Sequence, residues 1–257
     1  MNSSGISVTD LAVSYAGDTI FGDINLNIRR GESTAILGTS GRGKSTLLRS
    51  LAGLPPKPDR GSVLIDGVAP KEVHKRKEMW FLFQEPVIFP NRTVYEHLEL
   101  AFQLHDRAVD FARVEEVTKD VGLTSASIKY PHQLSVGMRA RLALGMSFCV
   151  APRFLFADEP FSSLDSGYRN ALNISLRKLQ TASQSTVVWI THEIRDALLF
   201  ADRIFVLAGK PARIVCDLDM KSTKCAFKAD LSQGLNQDTE RKYEQLMRLI
   251  EKDVTLS

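Results

Sequence analysis

A glycine-rich segment at residues 38–46 lies between two different patterns of secondary structure. The apolar residues 35–37 before it are typical of a short buried strand, and Leu47, Leu48 and Leu51 after it recur at helical spacing. In this setting the pattern Gly-x4-Gly-Lys-Ser predicts a loop that wraps around phosphate groups and presents its backbone N–H groups to them. The helix that follows adds its positive N-terminus to the same site. We therefore predict an α/β fold that binds the phosphates of a nucleotide.

Each residue type in this loop suits a phosphate site. Small residues let the backbone approach the phosphates, Lys44 is expected to reach the β- and γ-phosphates, and the Ser45 hydroxyl is expected to bind Mg²⁺. A surface glycine loop without a ligand is the alternative, and the strand before it and the helix after it argue against that. The predicted nucleotide-binding residues of the loop are Gly38, Thr39, Ser40, Gly41, Arg42, Gly43, Lys44, Ser45 and Thr46.

Polar side chains also follow two later apolar runs. Asp158 and Glu159 come directly after Phe154–Ala157, where two adjacent carboxylates are costly unless cations or hydrogen bonds compensate them. We expect Asp158 to hold Mg²⁺ and Glu159 to polarise an attacking water molecule. An Asp-Glu pair that merely opens a solvated turn is the alternative. His192 follows the apolar run Thr186–Ile190 in the same way, and we expect it to contact the γ-phosphate.

Periodicity divides the chain into strand-rich and helical parts. Ile24, Leu26 and Ile28 alternate with polar residues, which predicts a half-buried strand. After Thr93, a predicted N-cap, apolar residues recur at helical intervals as far as about residue 150. We expect one domain over residues 1–257, with a core at about 1–86 and 151–219, a helical subdomain at about 87–150 and a C-terminal helical tail at about 220–257.

Composition argues against several other classes of protein. With 33 basic and 30 acidic residues the net charge is +3, so we expect no nucleic-acid partner. Residues 1–10 have neither a basic nor an apolar region typical of a signal peptide, and no apolar stretch approaches the roughly 18 residues of a membrane span. The three cysteines, Cys149, Cys216 and Cys225, have no metal-like spacing and fit a reduced cytosolic compartment.

Taken together, the order of motifs resembles the ATP-binding subunit of an ATP-binding cassette (ABC) transporter over nearly the whole chain. Gln84, in Phe-Leu-Phe-Gln-Glu-Pro, matches the Q-loop of that family, and Leu-Ser-Val-Gly-Met at residues 134–138 matches its signature loop. Ser-Leu-Asp, ending at Asp165, matches the D-loop, and His192 matches the switch histidine. Tyr15 stands where the family places an aromatic ring that stacks on adenine.

The resemblance implies a fold and a mechanism. The fold is a P-loop NTPase (RecA-like) α/β core with an N-terminal antiparallel β-subdomain and an inserted helical subdomain. Two cassettes close head to tail around ATP and Mg²⁺, so that Ser135, Gly137 and Asp165 complete composite ATP sites. Gln84 joins Ser45 and Asp158 at the metal and links the water molecule to the helical subdomain. The implied catalytic residues are Lys44, Gln84, Glu159 and His192.

The resemblance also implies partners. Importer cassettes for nitrate, sulfonate and taurine are the most similar branch, notably from Asp158 to Asp165 and around His192. They imply integral-membrane permease subunits, a second ATPase subunit (another copy of this chain, or a different cassette), and indirectly a solute-binding protein. The location implied is the cytoplasmic face of the cell (inner) membrane. A non-transport ABC-type ATPase and a non-hydrolysing regulatory module are the alternatives, and Glu159 and His192 argue against the second.

Two further features depend on this resemblance. The segment that follows Gln84 carries Val87, Ile88 and Phe89, which we expect to be exposed for contact with a permease, with core packing as the alternative. In the signature loop, Val136 replaces a glycine of the family pattern, which removes conformational freedom and adds bulk beside the phosphate. We therefore predict an active hydrolase with a weakened composite site.

Overall fold

The computed structural model describes residues 5–162, 164, 166–220 and 237–255. A three-stranded antiparallel sheet in the order β2-β1-β4 comes largely from the N-terminal part of the chain. Its strands are β1 (Gly5–Tyr15), β2 (Asp18–Arg29) and β4 (Arg60–Ile65). In β2 the predicted alternation is confirmed, because Ile24, Leu26 and Ile28 are buried and the residues between them are exposed.

A six-stranded sheet forms the centre of the molecule, in the order β5-β6-β7-β3-β8-β9. Its first five strands are parallel, and β9 pairs antiparallel with β8 at one edge. The strands are β3 (Ser33–Leu37), β5 (Met79–Leu82), β6 (Phe154–Ala157), β7 (Thr186–Ile190), β8 (Arg203–Ala208) and β9 (Arg213–Asp219). Every residue of β3, β6 and β7 is buried, as runs without alternation predict for a covered parallel sheet.

Three helices form a lobe of their own between β5 and β6 in the chain. They are α3 (Val94–Leu104), α4 (Phe111–Asp120) and α5 (Val136–Val150), and they pack against one another. Thr93 caps α3 as predicted, since its side chain accepts the backbone N–H of Glu96 and its own N–H donates to the Glu96 carboxylate. The other described α-helices are α1 (Lys44–Leu51), α2 (Pro70–Lys75), α6 (Ser166–Ser183), α7 (Ile194–Phe200) and α8 (Gln237–Thr255).

Apolar side chains cover both faces of the central sheet. On one face Ile36 and Phe156 pack in a cluster with Leu47 of α1 and with the antiparallel sheet. On the other face Leu155 and Trp189 belong to a cluster that includes the helical lobe, α7 and α8. Because both faces are covered, the ends of the parallel strands are the places where polar groups can gather.

Some predicted features fall outside this description or differ from it. Strands β5 and β9 were not predicted; β5 is short, and in the edge strand β9 the residues that pack on the core, Ile214, Cys216 and Leu218, are only half-buried. Among the described residues no helix has the length and apolar character needed to cross a membrane.

Cys149 and Cys216 are free thiols, and burial raises the pKa of Cys149 to about 12, so that thiol is unreactive. Cys225 lies outside the described residues, and the predicted subdomain boundaries stay predictions.

Candidate nucleotide-binding site

The glycine-rich loop leaves the end of β3 and turns into α1. At Gly38 an added Cβ would lie 2.3 Å from the backbone oxygen of Leu207, so a side chain would collide with β8. Gly43, directly before the helix, has φ +78° and would place a Cβ 2.4 Å from Ile20 Cγ2. These two positions therefore require glycine, one for close approach and the other also for its backbone conformation.

Lys44 is the first residue of α1 and is buried within the loop. Its Nζ donates a hydrogen bond of 2.8 Å to the backbone oxygen of Thr39. Burial lowers the pKa of Lys44 below its ordinary value, against the opposing carboxylates of Glu159 and Asp158. A desolvated cation at the N-terminus of a helix is well placed to bind phosphate oxygens.

Ser45, in the first turn of α1, contacts Asp158, which directly follows β6. The Ser45 hydroxyl donates to Asp158 Oδ1 at 3.0 Å, and the Asp158 N–H donates to the backbone oxygen of Leu82 at 2.9 Å. Burial raises the pKa of Asp158, and the Ser45 hydrogen bond opposes that shift. A hydroxyl and a carboxylate side by side fit Mg²⁺, which takes one or two protein oxygens and completes its shell with phosphates and water.

Glu159 and His192 lie just beyond the carboxyl ends of the neighbouring strands β6 and β7. The distance from His192 Nδ1 to Glu159 Oε2 is 3.7 Å, and the His192 side chain is half exposed. Glu159 has φ +48°, a left-handed conformation that is costly for a residue with a side chain and is concentrated at functional sites. Its backbone oxygen accepts a hydrogen bond of 3.0 Å from the Ser162 hydroxyl, which helps to hold this conformation.

Gln84 joins this group from β5. It is exposed two residues beyond the strand, and it lines a narrow cleft with Glu159, Ala140 and Leu144. The cleft therefore lies between the strand-end carboxylate and the helical lobe. The structure brings together at the carboxyl edge of the parallel sheet the predicted residues Lys44, Ser45, Gln84, Asp158, Glu159 and His192.

The signature residues lie on the helical lobe and not on this edge. Ser135 is the N-cap of α5, and its hydroxyl accepts the Met138 N–H at 3.2 Å. Val136 is exposed at the first position of α5 and has a helical backbone. The argument from lost conformational freedom was therefore wrong, since this conformation does not need glycine, and only the argument from bulk remains. Gly137 is half-buried in the same helical turn.

The remaining predicted residues are more scattered. Tyr15, at the end of β1, is 71% exposed, so its ring is accessible. In the loop, Ser40 and Gly41 are exposed, Thr46 is half-buried, and the guanidinium of Arg42 is bonded to Asp253 of α8. Asp165 lies outside the described residues. Sequence reasoning missed Asp253, because no local pattern predicts a contact across 211 residues.

Comparison with known proteins identifies this arrangement. The family model described as ABC transporter matches residues 21–162, which is more than half of the chain. The sulfate/thiosulfate import ATP-binding protein CysA of Synechococcus elongatus is 37% identical over 220 residues, covering 82% of this chain and 64% of the relative. CysA of Nitrosomonas europaea is 39% identical, covering 79% and 58%. The nitrate import ATP-binding protein NrtC of Synechococcus elongatus is 38% identical, covering 74% and 29%.

Solved structures agree with these relatives. The dimeric post-hydrolysis state of the ATP-binding cassette MJ0796 bound to ADP and Pi has a TM-score of 0.76 at 28% identity. It covers 84% of this chain and 99% of that one. The fold prediction of a P-loop α/β core with an antiparallel β-subdomain and a helical subdomain is thus confirmed.

The fold and the strand-end site are those of the ATP-binding cassettes, a class whose cofactors are ATP and Mg²⁺. The chain belongs to the ABC transporter family. It spans about three fifths of the length of the CysA relatives named above.

Proposed function

We propose that the chain is the ATP-hydrolysing subunit of a membrane importer for a small solute of the nitrate, sulfonate or taurine kind. The observation that carries hydrolysis is the position of Glu159, a carboxylate within 3.7 Å of His192 at the end of the strand that also supplies Asp158. The importer assignment is supported by the relatives, whose names are those of sulfate/thiosulfate and nitrate import proteins. The proposed location is the cytoplasmic face of the membrane.

Each polar group at the sheet edge has a proposed task. Lys44 and the loop N–H groups hold the β- and γ-phosphates, and Ser45 and Asp158 hold Mg²⁺ with Gln84. When bound, Mg²⁺ neutralises charge on the phosphate oxygens. Glu159 orients and polarises the attacking water molecule, and His192 donates a hydrogen bond to the γ-phosphate. Tyr15 stacks on the adenine ring.

A second cassette completes this site in the proposal. Ser135 caps the N-terminus of α5, so that N-terminus and the Ser135 hydroxyl form a second group that favours anions. Because these groups lie on the helical lobe, they would serve a nucleotide held by the loop of another copy. The dimeric state named for the MJ0796 structure supports such a pair. Asp165 is assigned to the same interface, and the bulk of Val136 would weaken it.

The segment after Gln84 is the proposed permease contact. Val87 is 63% exposed and Phe89 is 44% exposed, as predicted, but Ile88 is half-buried and packs against the core, so that part of the prediction was wrong. The Phe89 N–H donates to Nε2 of buried His97 at 2.9 Å, and His97 Nδ1 lies 2.7 Å from the Thr93 oxygen. Neutral His97 therefore ties this apolar segment to the start of α3.

Replacing Val87 with Asp is expected to abolish co-purification of the membrane subunits in detergent. A charge on this apolar surface would have to be buried without a partner when the permease docks. The matched control is Val215→Asp, which places the same charge at a 47% exposed valine on β9, away from the helical lobe. Equal recovery of membrane subunits with both variants would contradict the docking surface, and recovery of none with the wild type would contradict the importer role.

A further inference from the structure

The C-terminal helix α8 is anchored to the core through residues from its middle to its last turn. Leu246 is fully buried in the same cluster as the helical lobe, and Tyr243, Met247 and Ile250 pack against that cluster. These four residues recur at helical spacing on one face of α8. Their packing places the last turn of α8 beside the phosphate-binding loop. Asp253 lies in that turn, and its side chain is 4% exposed.

The carboxylate of Asp253 is bonded to two residues of the loop. Its Oδ2 accepts hydrogen bonds from Thr39 Oγ1 at 2.5 Å and from Arg42 Nε at 2.7 Å. Its backbone oxygen accepts a further bond from Arg42 Nη2 at 3.0 Å. The guanidinium of Arg42 is as deeply buried as the carboxylate. The loop is thus held from the side of α8 by a buried, charge-assisted contact.

The same carboxylate also contacts the end of the neighbouring strand. Asp253 Oδ1 accepts the backbone N–H of Gly209 at 2.8 Å, directly after β8. Gly38 packs so closely on β8 that no side chain fits between them. Asp253 therefore joins three elements, namely the loop, the end of β8 and α8.

A short path of contacts leads from Asp253 to the phosphate-binding lysine. Asp253 fixes Thr39 through its hydroxyl, and the backbone oxygen of Thr39 accepts the Nζ of Lys44. A change in the position of Thr39 would therefore move the groups that bind phosphate. Only Thr39 lies between Asp253 and Lys44 on this path, so Asp253 is one residue away from the phosphate-binding group.

Because Arg42 is a buried cation, position 253 requires an ionised carboxylate to neutralise it. Burial alone would raise the pKa of Asp253, but hydrogen bonds from Thr39 and Gly209 outweigh it and hold that pKa below its ordinary value. The group is then ionised at neutral pH and neutralises Arg42. Removal of one partner would leave the other as an uncompensated buried charge, which is strongly unfavourable.

We propose that Asp253 is a positioning residue for ATP binding, which makes α8 part of the nucleotide site and not merely a terminal appendage. It holds Thr39 and Arg42 so that the loop keeps the shape that receives phosphates. This inference rests on the proposed role of Lys44 in binding those phosphates. The amphipathic pattern of α8 predicts packing on the core but does not predict this role in ATP binding.

The test is the dissociation constant of the full-length chain for ATP with Mg²⁺, measured by titration calorimetry well below the melting temperature. Asp253→Asn is expected to weaken ATP binding at least tenfold, and Asp253→Glu, which keeps the carboxylate, is expected to restore most of the affinity. The matched control is Glu244→Gln, an exposed acid on the same helix that pairs with Arg248, and it is expected to stay within twofold of the wild type.

A merely structural role would lower the melting temperature of Asp253→Asn and leave ATP affinity unchanged at the lower temperature. That result, with affinity lost in Lys44→Ala, would overturn the inference; unchanged affinity in Lys44→Ala would instead overturn the proposed phosphate site. If Asp253→Asn does not fold, Thr39→Val removes only the hydroxyl and keeps the buried ion pair. We expect Thr39→Val to weaken ATP binding severalfold, and wild-type affinity in this variant would also overturn the inference.

Discussion

Replacing Glu159 with Gln is expected to lower steady-state ATP hydrolysis about 100-fold or more while ATP binding is retained. The amide keeps the size of the side chain but cannot polarise the attacking water molecule, and a positioned general base typically contributes about 10²- to 10⁴-fold. Binding is retained because the groups proposed to hold the phosphates, notably Lys44, are unchanged. Release of inorganic phosphate, measured together with ATP affinity, separates the two effects.

A neighbouring acid serves as the control for this substitution. Glu193 is 3.7 Å from Nε2 of His192, whereas Glu159 is the same distance from Nδ1. Glu193 does not lie beside Asp158 at the end of β6, so Glu193→Gln is expected to hydrolyse ATP within a few-fold of the wild type. If the wild type and Glu159→Gln were equally inert, both alone and with the membrane subunits, the chain would be a regulatory module that binds nucleotide without hydrolysing it.

Replacing Lys44 with Ala is expected to abolish measurable ATP binding at cellular ATP concentrations. The substitution removes a buried cation and its charge-assisted hydrogen bonds, each of which contributes about 1.5–3 kcal/mol. Two such bonds would account for roughly 150-fold or more in the dissociation constant. Fluorescence titration with a labelled nucleotide, or calorimetry with ATP itself, measures the loss.

Arg49 provides the matched control for the lysine. It is an exposed cation on the same helix, one turn beyond the loop. Arg49→Ala removes the same charge from α1, and it is expected to change ATP affinity less than threefold because exposed charges are screened by water and salt. ATP affinity retained in Lys44→Ala would contradict the assignment of residues 38–46 as the phosphate site.

Local patterns predicted the residues that follow three short apolar runs, whereas Gln84 and the signature residues were predicted only from the resemblance to the ABC family. The glycine-rich loop, the pair Asp158 and Glu159, and His192 follow β3, β6 and β7, and the sheet topology brings those three ends to one edge. The short length of these apolar runs and their lack of alternation predict buried parallel strands, and hence where the strands end, from the sequence alone. Their roles in binding and catalysis stay predictions that the substitutions above test.

Features that depend on contacts across the chain were not predicted. Asp253 is one acid in a charged amphipathic helix, and only the folded chain places it against Thr39 and Arg42. Ile88 was expected on the surface because the family resemblance assigns the segment after Gln84 to a permease contact, yet it packs on the core. The effect of Val136 also depended on a backbone conformation that the sequence does not specify.

In the proposed mechanism, ATP closes two copies of this chain on one another. Sedimentation of Glu159→Gln with and without ATP and Mg²⁺ detects this closure, because this variant should bind ATP and not consume it. We predict a monomer without nucleotide and a dimer with ATP, and a monomer under both conditions when Ser135→Arg is added. A sedimentation coefficient of Glu159→Gln that stays at the monomer value with saturating ATP would contradict the pairing of two copies of this chain.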